Sequence, residues 1–266
     1  MIRETANALL ACVVTFALCA VAYPAAVYGI GHGLFPGRAE GSLIVRDGKV
    51  IGSALIAQPF ASDKYFRPRP SAAGPNGYAA DAASGSNLAT TNPALRDRIA
   101  LDAARLIAAR SGDAHLGAEI GRLDSSRAAL KARGEIKDPT AAEAGAIAGL
   151  EGDAATAMAL ALVRSARLGE AAENLAPVDL VTASGSGLDP DISPEAAHYQ
   201  AARVARARGV PVERIREMID GLADRSGAIL GAPARVNVLL LNLGLDEAGG
   251  TAGPIPSIPT PTGEKP

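Results

Sequence analysis

The sequence of 266 residues has no tryptophan, only four phenylalanines and only five tyrosines. The aromatic residues outside the N-terminal apolar segment lie mostly in one short stretch: Phe60, Tyr65, Phe66, Tyr78 and Tyr199. Because aromatic side chains bury the most area, a core with so few of them must be built mainly from Ala, Val, Leu and Ile. We therefore expect a core of modest size.

The sequence also has no large excess of acidic or basic residues, and its formal net charge is −2. A nucleic-acid partner would need a basic face of clustered lysine and arginine, so this class of function is excluded. The two cysteines, Cys12 and Cys19, both lie in the N-terminal apolar segment, which leaves no thiol elsewhere to form a disulfide bond. The three histidines are His32, His115 and His198, and no two of them have the spacing of metal ligands.

No Asp, Glu, Lys or Arg occurs between Glu4 and Arg38. Residues 8 to 30 predict one transmembrane helix, roughly 33 Å long, enough to cross a hydrocarbon core of about 30 Å. The alternative is a secretory signal cleaved after the sequence Ala-Val-Ala at positions 20 to 22. The apolar character continues beyond that point, which favours the anchor. The basic residues on the two sides do not decide its orientation.

The first part of the following region combines a hairpin, a long loop and a helix. Residues 42 to 56 predict two strands joined by an Asp47-Gly48 turn. The stretch from 58 to 93 is rich in Pro, Gly, Ser and Asn, and it predicts an irregular loop. Asn92 and Pro93 are a helix N-cap and a first-turn proline, and they predict a helix to Arg110.

The later part of the chain predicts two strands and two helices. Residues 178 to 183 predict a strand. Ser193 is the predicted N-cap of a helix ending before Gly209, and Pro211 begins a second helix. The apolar run from 236 to 243 predicts a final strand.

These expectations define an α+β protein with four regions. Residues 1–37 contain the transmembrane helix, and residues 38–110 together with 177–246 form one soluble domain. Residues 111–176 are alanine-rich and without aromatics, and we interpret them as a helical insertion. Residues 247–266 are rich in Pro, Gly and Thr, and they predict a disordered tail.

No set of residues in the sequence assembles a catalytic or metal site. Ser186 has Ser184 where a G-x-S-x-G nucleophile elbow needs its first glycine. The loop Ser184, Gly185, Ser186, Gly187 is a weak candidate for binding an anionic ligand through backbone N–H groups, but it lacks the spacing of a P-loop. The alternative is an ordered turn between two elements.

Several segments, in collinear order, resemble the C subunit of the bacterial Kdp-type potassium-transporting P-type ATPase. They cover about residues 9 to 110 and 177 to 246. The segments are Tyr23-Pro24, Gly41-Ser42-Leu43-Ile44, Gly52 to Phe60, Tyr65 to Ser71, Ser84 to Leu88, Thr91-Asn92-Pro93, Leu180 to Pro190, Ile192-Ser193-Pro194, Val236-Asn237-Val238 and Leu241-Asn242-Leu243.

The resemblance implies a single-pass protein of the bacterial inner membrane with its soluble domain in the periplasm. It also implies two partners, a channel-like potassium-translocating subunit and a P-type ATPase catalytic subunit, which handle potassium and ATP. The chain would be a non-catalytic accessory subunit needed for assembly and stability, with assistance to potassium or nucleotide binding as a further implied role. The resemblance supplies no catalytic residue and no bound cofactor. The alternative is a membrane-anchored periplasmic hydrolase or solute-binding module.

Four residues are candidates for the face that docks on a partner: Phe60, Tyr65, Phe66 and Arg67. They lie in the long irregular segment, and aromatic and arginine side chains are enriched at the centres of interfaces. The alternative, strongest for Phe60 and Phe66, is that these aromatic rings form the core of the domain.

Overall fold

The computed structural model describes residues 2–112, 117, 118, 120–122 and 176–248. The insertion predicted at 111–176 and the tail predicted at 247–266 lie almost entirely outside these residues. Within the described residues the chain divides after Leu55 into two compact units. Each unit is described by itself.

The first unit begins with a long helix, α1 (Ile2–Leu34), which includes the predicted span from 8 to 30. In the described part of the chain it is the one helix long and apolar enough to cross a membrane. Its middle turn, Ala17–Ala22, is a π-helix that immediately precedes Tyr23 and Pro24. Proline cannot donate a helical hydrogen bond and its ring crowds the preceding turn, so a wider turn at this point accommodates it.

A β-hairpin follows the short helix α2 (Pro36–Ala39) and confirms the predicted turn. Strands β1 (Leu43–Arg46) and β2 (Lys49–Ser53) pair antiparallel, with Arg46 opposite Lys49. Asp47 and Gly48 both have positive φ, 51° and 75°, as a two-residue hairpin turn of the primed type requires. The second strand ends at Ser53, three residues before the predicted end.

The second unit opens with the irregular segment that the sequence predicts, interrupted only by a 3₁₀ turn at Ala80–Ala82. Helix α3 (Pro93–Ser111) then begins as predicted, because the Asn92 side chain accepts a hydrogen bond from the N–H of Ala94. Leu101 and Ile107 are buried on its inner face.

The strand predicted at 178–183 is wrong, because Val178–Val181 forms a single helical turn, α4. The N–H of Leu180 donates to the carbonyl of Pro177, and the Thr182 hydroxyl donates to the carbonyl of Val178. Leu180 and Val181 are adjacent in sequence and both buried, which a strand with one covered face does not allow.

Helices α5 (Pro194–Arg208) and α6 (Val212–Leu222) confirm the two predicted helices. Ser193 caps α5 by accepting from the N–H of Ala196, and Gly209 ends it with a φ of 70°. Alanines on α5 are buried and small, so the two helices pack closely. Ile215, Met218 and Ile219 of α6 are almost fully buried.

The final strand predicted at 236–243 is also wrong over most of its length. Strand β4 is only Val236–Asn237, and it pairs antiparallel with β3 (Asp191–Ile192). The Asn237 side chain accepts from the N–H of Leu240 and starts helix α7 (Val238–Glu247). A short apolar run is compatible with a buried strand and with a buried helix, and here the N-cap favours the helix.

The core of the second unit lies between α5, α6, α7 and one aromatic ring from the irregular segment. Its fully covered members include Phe66, Val204, Ile219 and Leu241. The aliphatic core expected from the composition is confirmed, and Phe66 is its largest fully buried side chain. The irregular segment is therefore anchored in the core.

Candidate functional site

Two buried amide side chains hold the main chain of the irregular segment. Asn242 of α7 accepts from the N–H of Phe66 (2.8 Å) and donates to the carbonyl of Phe66 (2.9 Å). Gln200 of α5 accepts from the N–H of Arg67 (2.9 Å) and donates to the carbonyl of Arg67 (3.0 Å). Each amide thus satisfies the donor and the acceptor of one residue, as a neighbouring strand would. We call residues 63 to 67 the clamped segment.

The buried guanidinium of Arg203 holds the beginning of the clamped segment. It donates to the carbonyls of Asp63 (2.8 Å) and Tyr65 (3.0 Å) and to Oε1 of Gln200 (2.9 Å). Burial, together with the nearby charge of Arg67, lowers the pKa of Arg203 to about 10. The group remains charged at neutral pH, and its hydrogen bonds offset the cost of burying that charge.

Arg208, at the end of α5, holds the clamped segment on its exposed side. Its guanidinium donates to the carbonyl of Lys64 (2.7 Å) and to Oδ1 of Asp246 (2.8 Å), and it lies 5.1 Å from the centre of the Tyr65 ring. The Tyr65 hydroxyl donates to Oδ2 of Asp246 (3.1 Å). Partial burial, followed by the hydrogen bond and the charge of Asp246, raises the pKa of Tyr65.

The four predicted docking residues separate into two pairs. Phe66 is fully buried, so the structure corrects its assignment to a docking face in favour of the core alternative. Phe60 is partly buried against the same core, with its ring 5.6 Å from the ring of Tyr65. Tyr65 and Arg67 remain partly exposed, and Arg67 pairs with Asp63 at 2.9 Å. The accessible part of the predicted face therefore centres on Tyr65 and Arg67.

The loop from Ser184 to Gly187 packs against another part of the irregular segment. The N–H of Ser84 donates to the carbonyl of Ser186 (2.9 Å), and a Cβ on Gly85 would lie 3.0 Å from the carbonyl oxygen of Gly185. Gly187 has a φ of 70° and a Cβ there would lie 2.6 Å from the carbonyl oxygen of Ser84. The glycines at 85 and 187 thus permit close backbone packing. Binding of a ligand by this loop stays a prediction.

The acidic residues after this loop have structural partners. Asp189 accepts from Arg69 (3.1 Å), whose guanidinium also donates to the carbonyl of Thr182 (3.4 Å). Asp191 accepts from the side chain of Asn237 (3.1 Å), and burial raises its pKa. Within residues 2–112 and 176–248, no group of three His, Cys, Asp or Glu side chains is placed to hold a metal ion.

A cavity of about 590 Å³ lies beside the clamped segment and is lined by arginines from three elements. Arg206 donates to the carbonyls of Ala109 (2.8 Å) and Arg110 (2.9 Å), and it thereby joins α5 to the end of α3. Arg67 and Arg203, on the same cavity, share the carboxylate of Asp63. The hydrogen bonds of these three arginines thus join the clamped segment to α5, and α5 to the end of α3.

Gln200, Arg203 and Asn242, whose side chains hydrogen-bond to the backbone of the clamped segment, were not predicted from the sequence. Each is a polar residue on a helical face otherwise occupied by buried apolar residues. That pattern indicates a structural role for these side chains, because a polar side chain on a buried face needs a hydrogen-bond partner. The sequence does not identify the backbone groups that they bind, since those groups lie between 133 and 176 residues away along the chain.

These features define a class of protein: the described residues comprise one helix able to cross a membrane and a small mixed domain in which buried polar side chains hold an irregular segment by its backbone. The comparisons with known proteins give the family. A family model described as KdpC, K+-transporting ATPase, c chain, matches residues 5–126 and 137–247. The chain belongs to this family.

Curated relatives agree with the family assignment, and each is named potassium-transporting ATPase KdpC subunit. The protein from Polaromonas naphthalenivorans is 43% identical over 229 residues, covering 86% of this chain and 87% of the relative. That from Rhodopseudomonas palustris strain BisB5 is 40% identical and covers 92% of this chain and 98% of the relative. That from Myxococcus xanthus is 41% identical over 94% of this chain and 89% of the relative.

The residues matched by the family model extend into the predicted insertion at 111–176. They include 111–126 and 137–176, most of the segment interpreted as an insertion. The boundaries of that insertion stay a prediction.

Proposed function

We propose that this chain is a non-catalytic accessory subunit of an ATP-driven potassium pump, needed for assembly and stability of the complex. Its relatives are named as subunits of a potassium-transporting ATPase. In this proposal α1 anchors the chain in the bacterial inner membrane and the second unit lies in the periplasm. A channel-like subunit and a P-type ATPase subunit are the partners and carry out ion translocation and ATP hydrolysis.

The observation that carries the proposal is the clamped segment. A loop without regular structure normally loses conformational entropy when it docks, and this loss weakens binding. Here Gln200, Arg203 and Asn242 already hold the backbone, while Tyr65 and Arg67 stay partly exposed. Such an irregular but ordered surface is suited to recognising one partner, and assembly is the function it supports best.

Deletion of the gene, with the partner genes left in place, tests the proposal. We expect growth on low potassium to be lost, and potassium-stimulated ATPase activity of the purified partners to fall because the complex dissociates. Expression of this chain from a plasmid should restore both. Partners that assemble and pump normally without the chain would contradict the proposal. Hydrolysis of ATP or an ester by the purified chain alone would favour the membrane-anchored hydrolase instead.

A further inference from the structure

The second unit presents two large apolar side chains almost completely to solvent. Ile229 and Leu230 are 96% and 92% exposed, more than any other large apolar residue described in this unit. Both lie in a 3₁₀ turn, Ala228–Leu230, between helix α6 and strand β4. We call residues 227 to 232 the apolar tip.

The base of the apolar tip is braced by a pair of charged residues. Asp224 and Arg235 form an isolated antiparallel bridge, with N–H to carbonyl distances of 2.8 and 3.1 Å. The Arg235 guanidinium also donates to Oδ2 of Asp224 through two nitrogens, at 2.9 and 3.1 Å. The second oxygen of Asp224 accepts from the N–H of Ser226 (2.8 Å). The two ends of the tip are thus held together.

The turn itself is closed by its own backbone. The N–H groups of Leu230 (3.0 Å) and Ala232 (3.1 Å) both donate to the carbonyl of Gly227. A Cβ on Gly227 would lie 2.7 Å from the Cβ of Ala232, so only glycine allows this approach. Gly231 has a φ of 77°, which also favours glycine. The sequence therefore specifies a shaped turn that holds Ile229 and Leu230 outward.

We propose that the apolar tip inserts into an apolar pocket on another protein subunit of the pump. This inference rests on the function proposed above and names a surface that performs it. Exposing two such side chains is unfavourable in a free protein, and a braced turn loses little entropy when it docks. Small residues at 227, 228, 231 and 232 leave the two side chains free to enter a narrow pocket.

Area argues against a second copy of this chain as the occupant. Burying two aliphatic side chains removes on the order of 200 Å² from water, whereas a stable interface buries roughly 800 Å² on each partner. The tip is therefore too small to hold a dimer together by itself. It suits a partner to which the chain is already bound elsewhere, because a tethered second contact forms at high effective concentration.

Charge and composition argue against a lipid surface. Membrane-surface segments combine apolar side chains with an excess of lysine and arginine, and tryptophan and tyrosine are enriched at the lipid interface. Around the tip, Arg225 and Arg235 are accompanied by Asp220 and Asp224, which leaves no excess of positive charge. No aromatic residue follows Tyr199 in the sequence. A protein pocket is the better match.

Site-specific cross-linking in the full-length chain tests the location of the tip. A photoreactive amino acid replaces Leu230 and, as a control, the 73% exposed Val178 of the same unit. After irradiation of native membranes from potassium-limited cells, we expect position 230 to give an adduct with a pump subunit identified by mass spectrometry. An adduct only with lipid, only with a second copy of the chain, or with no molecule would overturn the proposal.

A double variant, Ile229→Ser with Leu230→Ser, tests the energetic contribution. We expect roughly tenfold less of the partner subunits to co-purify with it, while Val178→Ser co-purifies as the parent chain does. Unchanged retention of the partners by the double variant would overturn the tip as a contact. If the parent chain itself does not co-purify with pump subunits, the proposed function fails as well, which separates the two outcomes.

Discussion

At the scale of single residues, the side-chain amide of Asn242 holds the clamped segment through two hydrogen bonds. It lies at 2% exposure and pairs with both backbone groups of Phe66, whose ring is itself buried. Backbone groups that lose their partner in such a place cannot turn to water. The amide therefore couples the position of the irregular segment to helix α7.

Replacement of Asn242 by leucine should remove both hydrogen bonds while keeping the buried volume. Two buried backbone groups are then left without a partner, and we expect the free energy of unfolding to fall by about 2 to 3 kcal/mol. Urea denaturation of the detergent-solubilised chain, followed by circular dichroism, measures this. Asn76→Leu, at an exposed position, is the matched control and should change stability by less than about 0.5 kcal/mol. Equal stability of the two variants would contradict the prediction.

The ionisation of Tyr78 should lower the free energy of unfolding at alkaline pH. Its hydroxyl donates to the carbonyl of Arg69 (2.8 Å), and burial, the largest cause, raises its pKa from 10.0 to about 12. Because the folded pKa is above the unfolded one, the stabilisation is fully present below pH 10. It is lost as the pH rises from about 10 to about 12, and it amounts to roughly 2 to 3 kcal/mol.

The comparison of the parent chain with Tyr78→Phe isolates this effect from that of other groups that titrate at alkaline pH. Denaturation free energies measured between pH 8 and pH 12 should fall more steeply for the parent chain than for the variant. The difference in stability between the two should therefore be largest near pH 8 and shrink as the pH rises. A difference that does not vary with pH would show that Tyr78 ionises as easily in the folded chain as in the unfolded one.

At the scale of secondary structure, short local motifs correctly predicted the hairpin and the starts of two helices. Asp47-Gly48 predicted the hairpin turn, and Asn92-Pro93 and Ser193-Pro194 predicted two helix starts, because each signal acts on backbone within four residues. The runs at 178 and 236 gave wrong strands, because each is short and has no clear period. At 236, the cap from Asn237 decides for a helix.

Helix α1 carries a prediction of topology. It is 33 residues long, about 50 Å at the rise of an α-helix, so it can span the bilayer and extend beyond it. We expect it to be retained, with the soluble domain in the periplasm. A reporter that is active only in the periplasm, fused after Asp246, should be active, and the same reporter fused before Ile2 should not.

The outcome that would contradict this topology is specific. A mature chain that starts at Tyr23 would show that a signal peptidase removes the segment after Ala22. In that case the long apolar helix would be a leader, and the proposed anchor would be lost.

At the scale of the whole molecule, the accessible part of the clamped segment should contribute to assembly. Changing Tyr65 and Arg67 together to alanine removes the two partly exposed side chains, and it leaves the backbone bonds from Gln200 and Asn242 in place. We expect several-fold less partner protein to co-purify with the chain in detergent, because such residues contribute most at interface centres.

The circular dichroism spectrum of this double variant should match that of the parent chain. Glu195→Ala with Glu217→Ala, at two exposed positions on α5 and α6, is a suitable control and should retain the partners. Full retention of the partners by the Tyr65 and Arg67 variant would remove this face from the proposed interface.

The sequence by itself determined the properties that depend on nearby residues or on composition. These are the apolar helix able to span a membrane, the hairpin, the capped helices, the aliphatic core and the collinear family segments. Only the tertiary structure decided that Phe66 belongs to the core, that Gln200, Arg203 and Asn242 hold the clamped segment, and that Ile229 and Leu230 stay exposed. Burial and long-range hydrogen bonds depend on which distant residues meet, and neither the period nor the spacing of a sequence records those encounters.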